Sequence, residues 1–150
     1  MVALDTDVLV LAFAFHRDER QQTNARFLEA IGNANPITTI YSVMELLGKL
    51  SFNLPPERLP LWPIWLQDRF RLTVAYPSFA GIDGKTFFQQ EFVDGPLMQM
   101  QQRRMPFLDA LILGLVEGVD GVNSFVTWNA RHFRGRTTIP VFTPAEYLDQ

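Results

Sequence analysis

Three acidic residues stand out because the sequence around them is apolar. Asp5, Glu45 and Asp109 each lie at the predicted start of a helix. Carboxylates grouped without a cysteine or histidine partner suit hard divalent cations such as Mg²⁺ or Mn²⁺. If the fold brings the three together, they indicate a metal centre that hydrolyses a phosphodiester.

Asp109 carries the strongest signal of the three. Residues 107–116 are apolar nearly all round, which predicts a buried helix. An isolated charge in the first turns of such a helix costs several kcal/mol or more, so it must be paired, protonated or bound to a metal. The alternative is a favourable interaction with the helix N-terminus, but its roughly 0.3–1 kcal/mol does not offset deep burial.

The other acidic positions have structural alternatives. Glu45 follows Ser42 by three residues, as in a capping box in which the glutamate bonds to the serine backbone amide. Asp5 is a possible turn or cap residue, and Thr6 or Asp7 could cap the helix that follows.

A further polar position, Asn129, follows the predicted fourth strand. It could act as an N-cap, or it could offer its amide oxygen to a metal ion or to a water molecule on the metal.

Strands alternate with helices along the chain. The predicted strands are 2–5, 37–40, 71–76, 124–128 and 139–142, and the predicted helices are 19–31, 42–52, 57–70 (short or kinked), 84–104 (split at Gly95-Pro96), 106–118 and a last turn from Thr143-Pro144. This alternation predicts an α/β fold in which a parallel sheet of four to five strands has helices on both faces, within one domain, 1–150.

The junctions from strand to helix all lie along the carboxyl edge of a parallel sheet, where ligands bind in open α/β folds. Carboxylates gathered at that edge repel one another unless a cation joins them. Separate caps would explain each residue alone, whereas one metal site explains all of them.

Composition narrows the possible functions. The chain has 150 residues, no cysteine and a net charge of −3, so a disulfide framework and a broadly basic nucleic-acid surface are excluded. Phosphate contacts would have to come from local arginines, which could equally be solvated loop residues: Arg103, Arg104, Arg131, Arg134 and Arg136, with His132 among them. No apolar run reaches the ~18–20 residues of a membrane span, so we expect a soluble, cytoplasmic protein.

The segment Leu61–Leu66 (LWPIWL) has two interpretations. It packs in the core, or it forms part of a partner surface or homodimer face, where tryptophan is enriched.

Several short motifs resemble, in order and spacing, those of the PIN-domain nucleases, and in particular the toxin component of VapBC-type pairs. They are LDTD at 4–7, SVME at 42–45, FLDA at 107–110, VTWNARHF at 126–133 and IPVFTPAEYL at 139–148. The resemblance implies a three-layer α/β/α sandwich, an acidic pocket for Mg²⁺ or Mn²⁺, and cleavage of single-stranded RNA. It also implies a small antitoxin partner and a possible homodimer.

The resemblance assigns roles to individual positions. Asp5, Glu45 and Asp109 fall on the three acidic positions of the family, and Asn129 falls on a fourth that is often aspartate. Asp7 stands where the family usually has asparagine, so it could restore the charge that Asn129 removes. The number of metal ions therefore stays open between one and two.

The arginines just beyond the proposed pocket, Arg131 and Arg134, and Arg104 before the Asp109 helix, are the candidate RNA contacts. His132 either contacts substrate or is an ordinary surface residue, and His16 is expected in a loop.

Two other functions compete with the endoribonuclease. Asn129 at an acidic position favours a catalytically weak PIN-like module that binds RNA or protein. The same carboxylates would also suit a metal-dependent phosphatase of small phosphoesters. Metal binding distinguishes a nuclease from the weak module, which would not bind the ion. Competition by RNA against a small phosphoester substrate distinguishes a nuclease from the phosphatase.

Overall fold

The computed structural model describes residues 1–15 and 17–150, and His16, which was expected in a loop, lies outside them. A five-stranded sheet forms the centre, with every neighbouring pair parallel and the order β3-β2-β1-β4-β5. The strands are β1 Val2–Leu4, β2 Ile37–Thr39, β3 Thr73–Ala75, β4 Ser124–Val126 and β5 Val141–Phe142. The predicted α/β/α class is confirmed.

Helices cover both faces of this sheet. They are α1 Thr6–Ala14, α2 Gln21–Ala30, α3 Ile40–Leu50, α4 Trp62–Phe70, α5 Gly84–Gln89, α6 Gly95–Arg103, α7 Phe107–Glu117 and α8 Pro144–Leu148. Short 3₁₀ helices span Ile31–Asn33, Pro56–Leu61 and Ala130–His132. None of the helices in the described ranges is long and apolar enough to cross a membrane.

Alternation along the strands separates two hydrophobic cores. In β1, Leu4 joins the core that contains residues of α1, α2, α3 and α4, whereas Ala3 joins the core built on α7. In β4, Val126 and Phe125 divide in the same way. Both faces of the sheet are covered at its three central strands, since every residue of β1, β2 and β4 is buried.

The start of α3 differs from the prediction. Thr39 is the N-cap, and its hydroxyl oxygen accepts a hydrogen bond from the Ser42 amide at 3.0 Å. Ser42 therefore already lies inside the helix, and the predicted capping box with Glu45 is wrong. Glu45 bonds instead to Lys49, one turn further along the same helix, at 2.6 Å.

The predicted split at Gly95-Pro96 takes the form of a π-helical segment. Residues Gln90–Asp94 form π-helix, and α6 continues directly from it. Pro96 has no backbone N–H to donate into an α-helical ladder. A Cβ at Gly95 would lie 2.9 Å from the Gln90 carbonyl oxygen, so only glycine fits there without a shift of the backbone.

The aromatic segment Leu61–Leu66 contains both buried and exposed side chains. Leu66 is fully buried, and Trp62 packs edge-on against Phe13 at 5.0 Å between ring centroids. Trp65 and Ile64 are 42% and 61% exposed. One side of α4 thus belongs to the core, and the other presents apolar side chains at the surface.

Candidate metal centre

The candidate site lies at the middle of the carboxyl edge of the sheet. From β1 the chain proceeds to β2 on one side, while β4 occupies the other side. Such a reversal of strand order opens a crevice between neighbouring strand ends, where open α/β folds bind ligands. The residue after β1, Asp5, donates its backbone amide to the Val126 carbonyl of β4 at 3.0 Å, so the two strand ends are joined directly.

Asp5 is a buried carboxylate, only 8% exposed. It is the N-cap of α1, so the expectation that Thr6 or Asp7 caps this helix is wrong. Its Oδ1 accepts from the Thr6 amide at 2.7 Å, and its Oδ2 accepts from the Thr127 hydroxyl at 2.8 Å.

Asp7 reaches from the first turn of α1 to the loop after β4. Its Oδ1 accepts from the Trp128 amide at 3.1 Å, and its Oδ2 accepts from the Asn129 amide at 3.0 Å. The Thr127 hydroxyl is also 3.0 Å from Asp7 Oδ2. Because a hydroxyl has one hydrogen to donate, Thr127 can serve only one of the two carboxylates at a time.

The environment of this pair disfavours its charged forms. Burial first, and then the neighbouring charge of Asp7, raise the pKa of Asp5 to about 8. Burial also raises the pKa of Asp7, although hydrogen bonds from Trp128, Thr127 and Asn129 act in the opposite direction. A bound cation would remove the conflict by making both carboxylates favourable in their ionised forms.

Asp109 lies in the first turn of α7 and is half-buried. Burial raises its pKa, the charges of Glu45 and Asp7 act in the same direction, and His132 and Arg136 lower it. The charges of Glu45 and Asp7 therefore act on Asp109. Within residues 1–15 and 17–150 no hydrogen-bond donor contacts the Asp109 carboxylate.

Glu45 reaches this crevice from α3, which packs against α7. Its carboxylate is occupied by the Lys49 ammonium at 2.6 Å. Across the described ranges, no three acidic or histidine side chains are arranged to ligate one ion together. The structure joins Asp5 and Asp7 through Thr127, whereas Glu45 and Asp109 are not held in the positions of metal ligands.

Asn129 occupies the N-cap position of the 3₁₀ helix Ala130–His132, but its side chain forms no capping bond. Its Nδ2 lies 2.7 Å from Nδ1 of His132. His132 therefore contacts Asn129 rather than standing alone at the surface.

The arginines divide by what they contact. Arg103 is bound to Glu117 at 2.7 Å, and Arg134 is paired with Glu146. Arg104 and Arg131 are exposed. Arg136, in contrast, lies close enough to lower the pKa of Asp109. The charge of Arg136 thus acts on Asp109, although Arg136 was not one of the three preferred RNA contacts.

Comparisons with known proteins agree on the fold. No protein-family model matches the chain, and no curated protein matches its sequence. Among solved structures, VapBC2 from Rickettsia felis bound to a DNA fragment from their promoter superimposes with a TM-score of 0.62 and 19% identity, covering 95% of this chain and 98% of that one. FitAB bound to the IR36 DNA fragment gives 0.59 and 15%, covering 96% and 95%. The fold is PIN-like.

Two residues of this candidate site, Thr127 and Trp128, were not predicted as site residues. Thr127 contacts both aspartates, and Trp128 donates its backbone amide to Asp7. The available signal was their position directly after β4, next to Asn129, since that edge of the sheet carries the site.

Proposed function

We propose that this protein is a divalent-metal-dependent endoribonuclease that cleaves single-stranded or loop regions of RNA. The observation that carries the proposal is the buried Asp5–Asp7 pair at the switch in strand order. Neither carboxylate forms an ion pair with a lysine or arginine among the described residues. Two neighbouring buried acids of this kind are costly to keep in a fold that has no use for them.

The chemistry of the donors fits Mg²⁺ or Mn²⁺. The site offers carboxylate, hydroxyl and amide oxygens, and the histidine beside it, His132, is already bonded to Asn129. A set of oxygen donors suits hard cations better than zinc. Asp5, Asp109 and Glu45 would hold the metal, with Asp7 and Asn129 as weaker ligands. When bound, the metal would supply Lewis-acid activation of water and of the phosphate.

The protein's own residues would prepare the site for this chemistry. Thr127 and the amides of Thr6, Trp128 and Asn129 hold the Asp5–Asp7 pair in place. Glu45 would exchange Lys49 for the cation, which leaves the ammonium beside the crevice as a phosphate contact. Arg136, Arg131 and Arg104 are the further candidates for the RNA backbone, while Arg134 is engaged with Glu146.

We also propose that the protein, acting as one domain over 1–150 in the cytoplasm, is the toxin of a toxin–antitoxin pair. The motif resemblance and the two PIN-like neighbours, VapBC2 and FitAB, support this. The exposed apolar side of α4, which includes Ile64 and Trp65, suits a small antitoxin or a second copy of the chain.

A catalytically weak PIN-like module that binds RNA or protein is the second candidate. It is favoured by Asn129, whose amide contacts His132, and by Glu45, whose carboxylate contacts Lys49. Titration with Mn²⁺ distinguishes the two, because a relic site would not bind the ion through Asp5 and Asp109.

Cleavage of a structured RNA pool tests the proposal. Wild type is compared with Asp109→Asn, each with Mn²⁺ or Mg²⁺ and with EDTA. Asp120→Asn is a matched control, because Asp120 is exposed in the loop that enters β4 at the opposite edge. Metal-dependent cutting that Asp109→Asn abolishes and Asp120→Asn retains supports the nuclease. Bound metal without any cutting of RNA favours a small phosphoester, and absent metal binding favours the module.

A further inference from the structure

A small cavity of about 200 Å³ opens beside the acidic crevice. It is lined by Asp7, Phe15, Arg20, Lys49 and Trp128, together with aliphatic side chains of α1. We propose that this cavity binds one nucleobase of single-stranded RNA, next to the phosphate at the acidic site. The proposal rests on the nuclease function and names a subsite of it.

Trp128 gives the cavity a fixed aromatic wall. Its Nε1 donates to Oδ1 of Asn24 at 2.8 Å, and Nδ2 of the buried Asn24 donates to the Val8 carbonyl at 2.9 Å. Its backbone amide is bound to Asp7. Because the indole N–H is already used, the ring offers a ligand stacking rather than a polar handle, and its fixed position lowers the entropy cost of binding.

Arg20 covers one face of this wall, so its guanidinium is part of the stacking surface. Its guanidinium carbon lies 5.5 Å from the centroid of the Trp128 ring, and Asp18 holds the guanidinium through bonds of 2.9 and 2.7 Å. Phe15, which is 54% exposed, adds an aromatic side chain at the same cavity. Aromatic rings and arginine planes are the platforms on which proteins stack unpaired bases.

Charge selects the occupant. Arg20 and Lys49, which are paired with Asp18 and Glu45, repel a cationic ligand only weakly, and Asp7 repels a free carboxylate placed against it. A neutral aromatic ring linked to a phosphate satisfies both conditions, since the ring enters the cavity while the phosphate remains near the cations. At about 200 Å³ the cavity is smaller than the ~300–1,000 Å³ typical of drug-sized ligands, so it suits one ring system.

Asp7 connects the cavity to the acidic site. It lines the cavity, and its carboxylate also contacts Thr127 and Asn129. A base bound here therefore belongs to a nucleotide next to the phosphate being cut. Stacking tolerates every base, so this subsite would require a base at one position without strongly selecting its identity.

Binding in EDTA, where no cleavage occurs, tests the subsite. A labelled single-stranded RNA carries one abasic residue, moved along the sequence, and its affinity is compared between wild type and Trp128→Leu. In wild type we expect one position at which loss of the base costs about 10-fold, in line with known base stacking. In Trp128→Leu the same change should cost nothing further. Phe52→Leu, at an 88% exposed side chain in the turn after α3, should behave as wild type.

Phe15→Ala is a second variant for the case in which Trp128→Leu does not fold. The Phe15 side chain is largely exposed, so its removal should leave the fold intact. It should reduce affinity at the same RNA position. Equal losses at every position in wild type and in both variants, with unchanged melting temperatures, would overturn the proposal, as would a wild type that binds no RNA. Base-dependent binding without cleavage in Mn²⁺ would instead remove the nuclease and keep the cavity as an RNA site.

Discussion

The acidic crevice contains two pairs of carboxylates that the fold treats differently. Asp5 and Asp7, the loop-held pair, accept hydrogen bonds from backbone amides and from Thr127 at the strand ends. Glu45 and Asp109, the helix pair, project from α3 and α7. Glu45 contacts only Lys49, and no donor contacts Asp109 within the described ranges. One pair is prepared in advance, and the other must be positioned by what binds.

The difference follows from where the donors are. Backbone amides at a strand end or helix start have fixed directions, so the carboxylates that they hold are fixed as well. Glu45 and Asp109, on neighbouring helices, lack such backbone donors, so we expect a cation or substrate to position them. We therefore expect the loop-held pair to set affinity for the first metal ion and the helix pair to complete the site.

The largest expected effects come from removing one carboxylate of each pair. Asp5→Asn and Asp109→Asn should each lower the single-turnover rate of RNA cleavage by more than about 100-fold, above the usual cost of losing a residue that only supports a metal ligand. The comparison predicts that Asp5→Asn also loses most Mn²⁺ binding, while Asp109→Asn retains part of it. Calorimetric titration measures this, with exposed Asp68→Asn as control. Equal loss of binding in both would remove the distinction between the pairs.

Thr127→Val tests how the loop-held pair is kept in place. Valine has nearly the same shape but no hydroxyl, so both carboxylates lose the donor that they share. We expect metal affinity to fall by about 10–100-fold. Thr38→Val is the matched control, since Thr38 is equally buried in β2 but bonds only to the Leu4 carbonyl. Similar affinities for the two valine variants would contradict the role of Thr127.

Stability without metal should reveal the cost of the loop-held pair. The pKa of Asp5 is raised from 3.8 to about 8, so the folded protein binds more protons than the unfolded chain and this group makes stability fall as pH rises between these values. Asp5→Asn removes that loss. In EDTA at pH 8 we expect the variant to melt about 2–4 °C above wild type.

A melting series from pH 5 to pH 8 provides the measurement. The advantage of Asp5→Asn should grow with pH and disappear when Mn²⁺ is added to wild type. A variant that melts below wild type at pH 8 would mean that the carboxylate stabilises the fold without a cation.

The smallest expected effect concerns the helix pair. Lys49→Met frees Glu45 from its ion pair, and since exposed pairs contribute about 0.2–1 kcal/mol, Mn²⁺ affinity without RNA should rise by at most about 5-fold. Lys85→Met, at an exposed position on α5, is the control. A decrease in affinity would show that Lys49 positions Glu45 for the metal rather than competing for it.

Local patterns predicted the order of elements along the chain and the parallel sheet that they form. The spacing of apolar residues and the positions of Pro and Gly indicated where each strand and helix begins and ends. Strand ends were less well predicted: 71–76 alternates throughout, but only Thr73–Ala75 pair, because the partner β2 is itself three residues long.

Contacts between distant residues lay beyond the sequence. Thr127 shares its hydroxyl with Asp5 across 122 residues, and only the pairing of β1 with β4 creates that contact. The bond between Glu45 and Lys49 is local, but the capping-box pattern assigned Glu45 to the Ser42 amide instead. Thr39, three residues before Ser42, was an equally good cap, and the structure uses it.

The pairing of the first strand with the fourth also fixes when the site can form during synthesis. A chain still on the ribosome contains Asp5 and Glu45 long before it contains Thr127, the partner of Asp5. Until β4 has emerged, the aspartates of the amino-terminal segment have no opposing loop and remain open to water. Under the ribonuclease function proposed above, this order of assembly would delay activity until most of the chain has been translated.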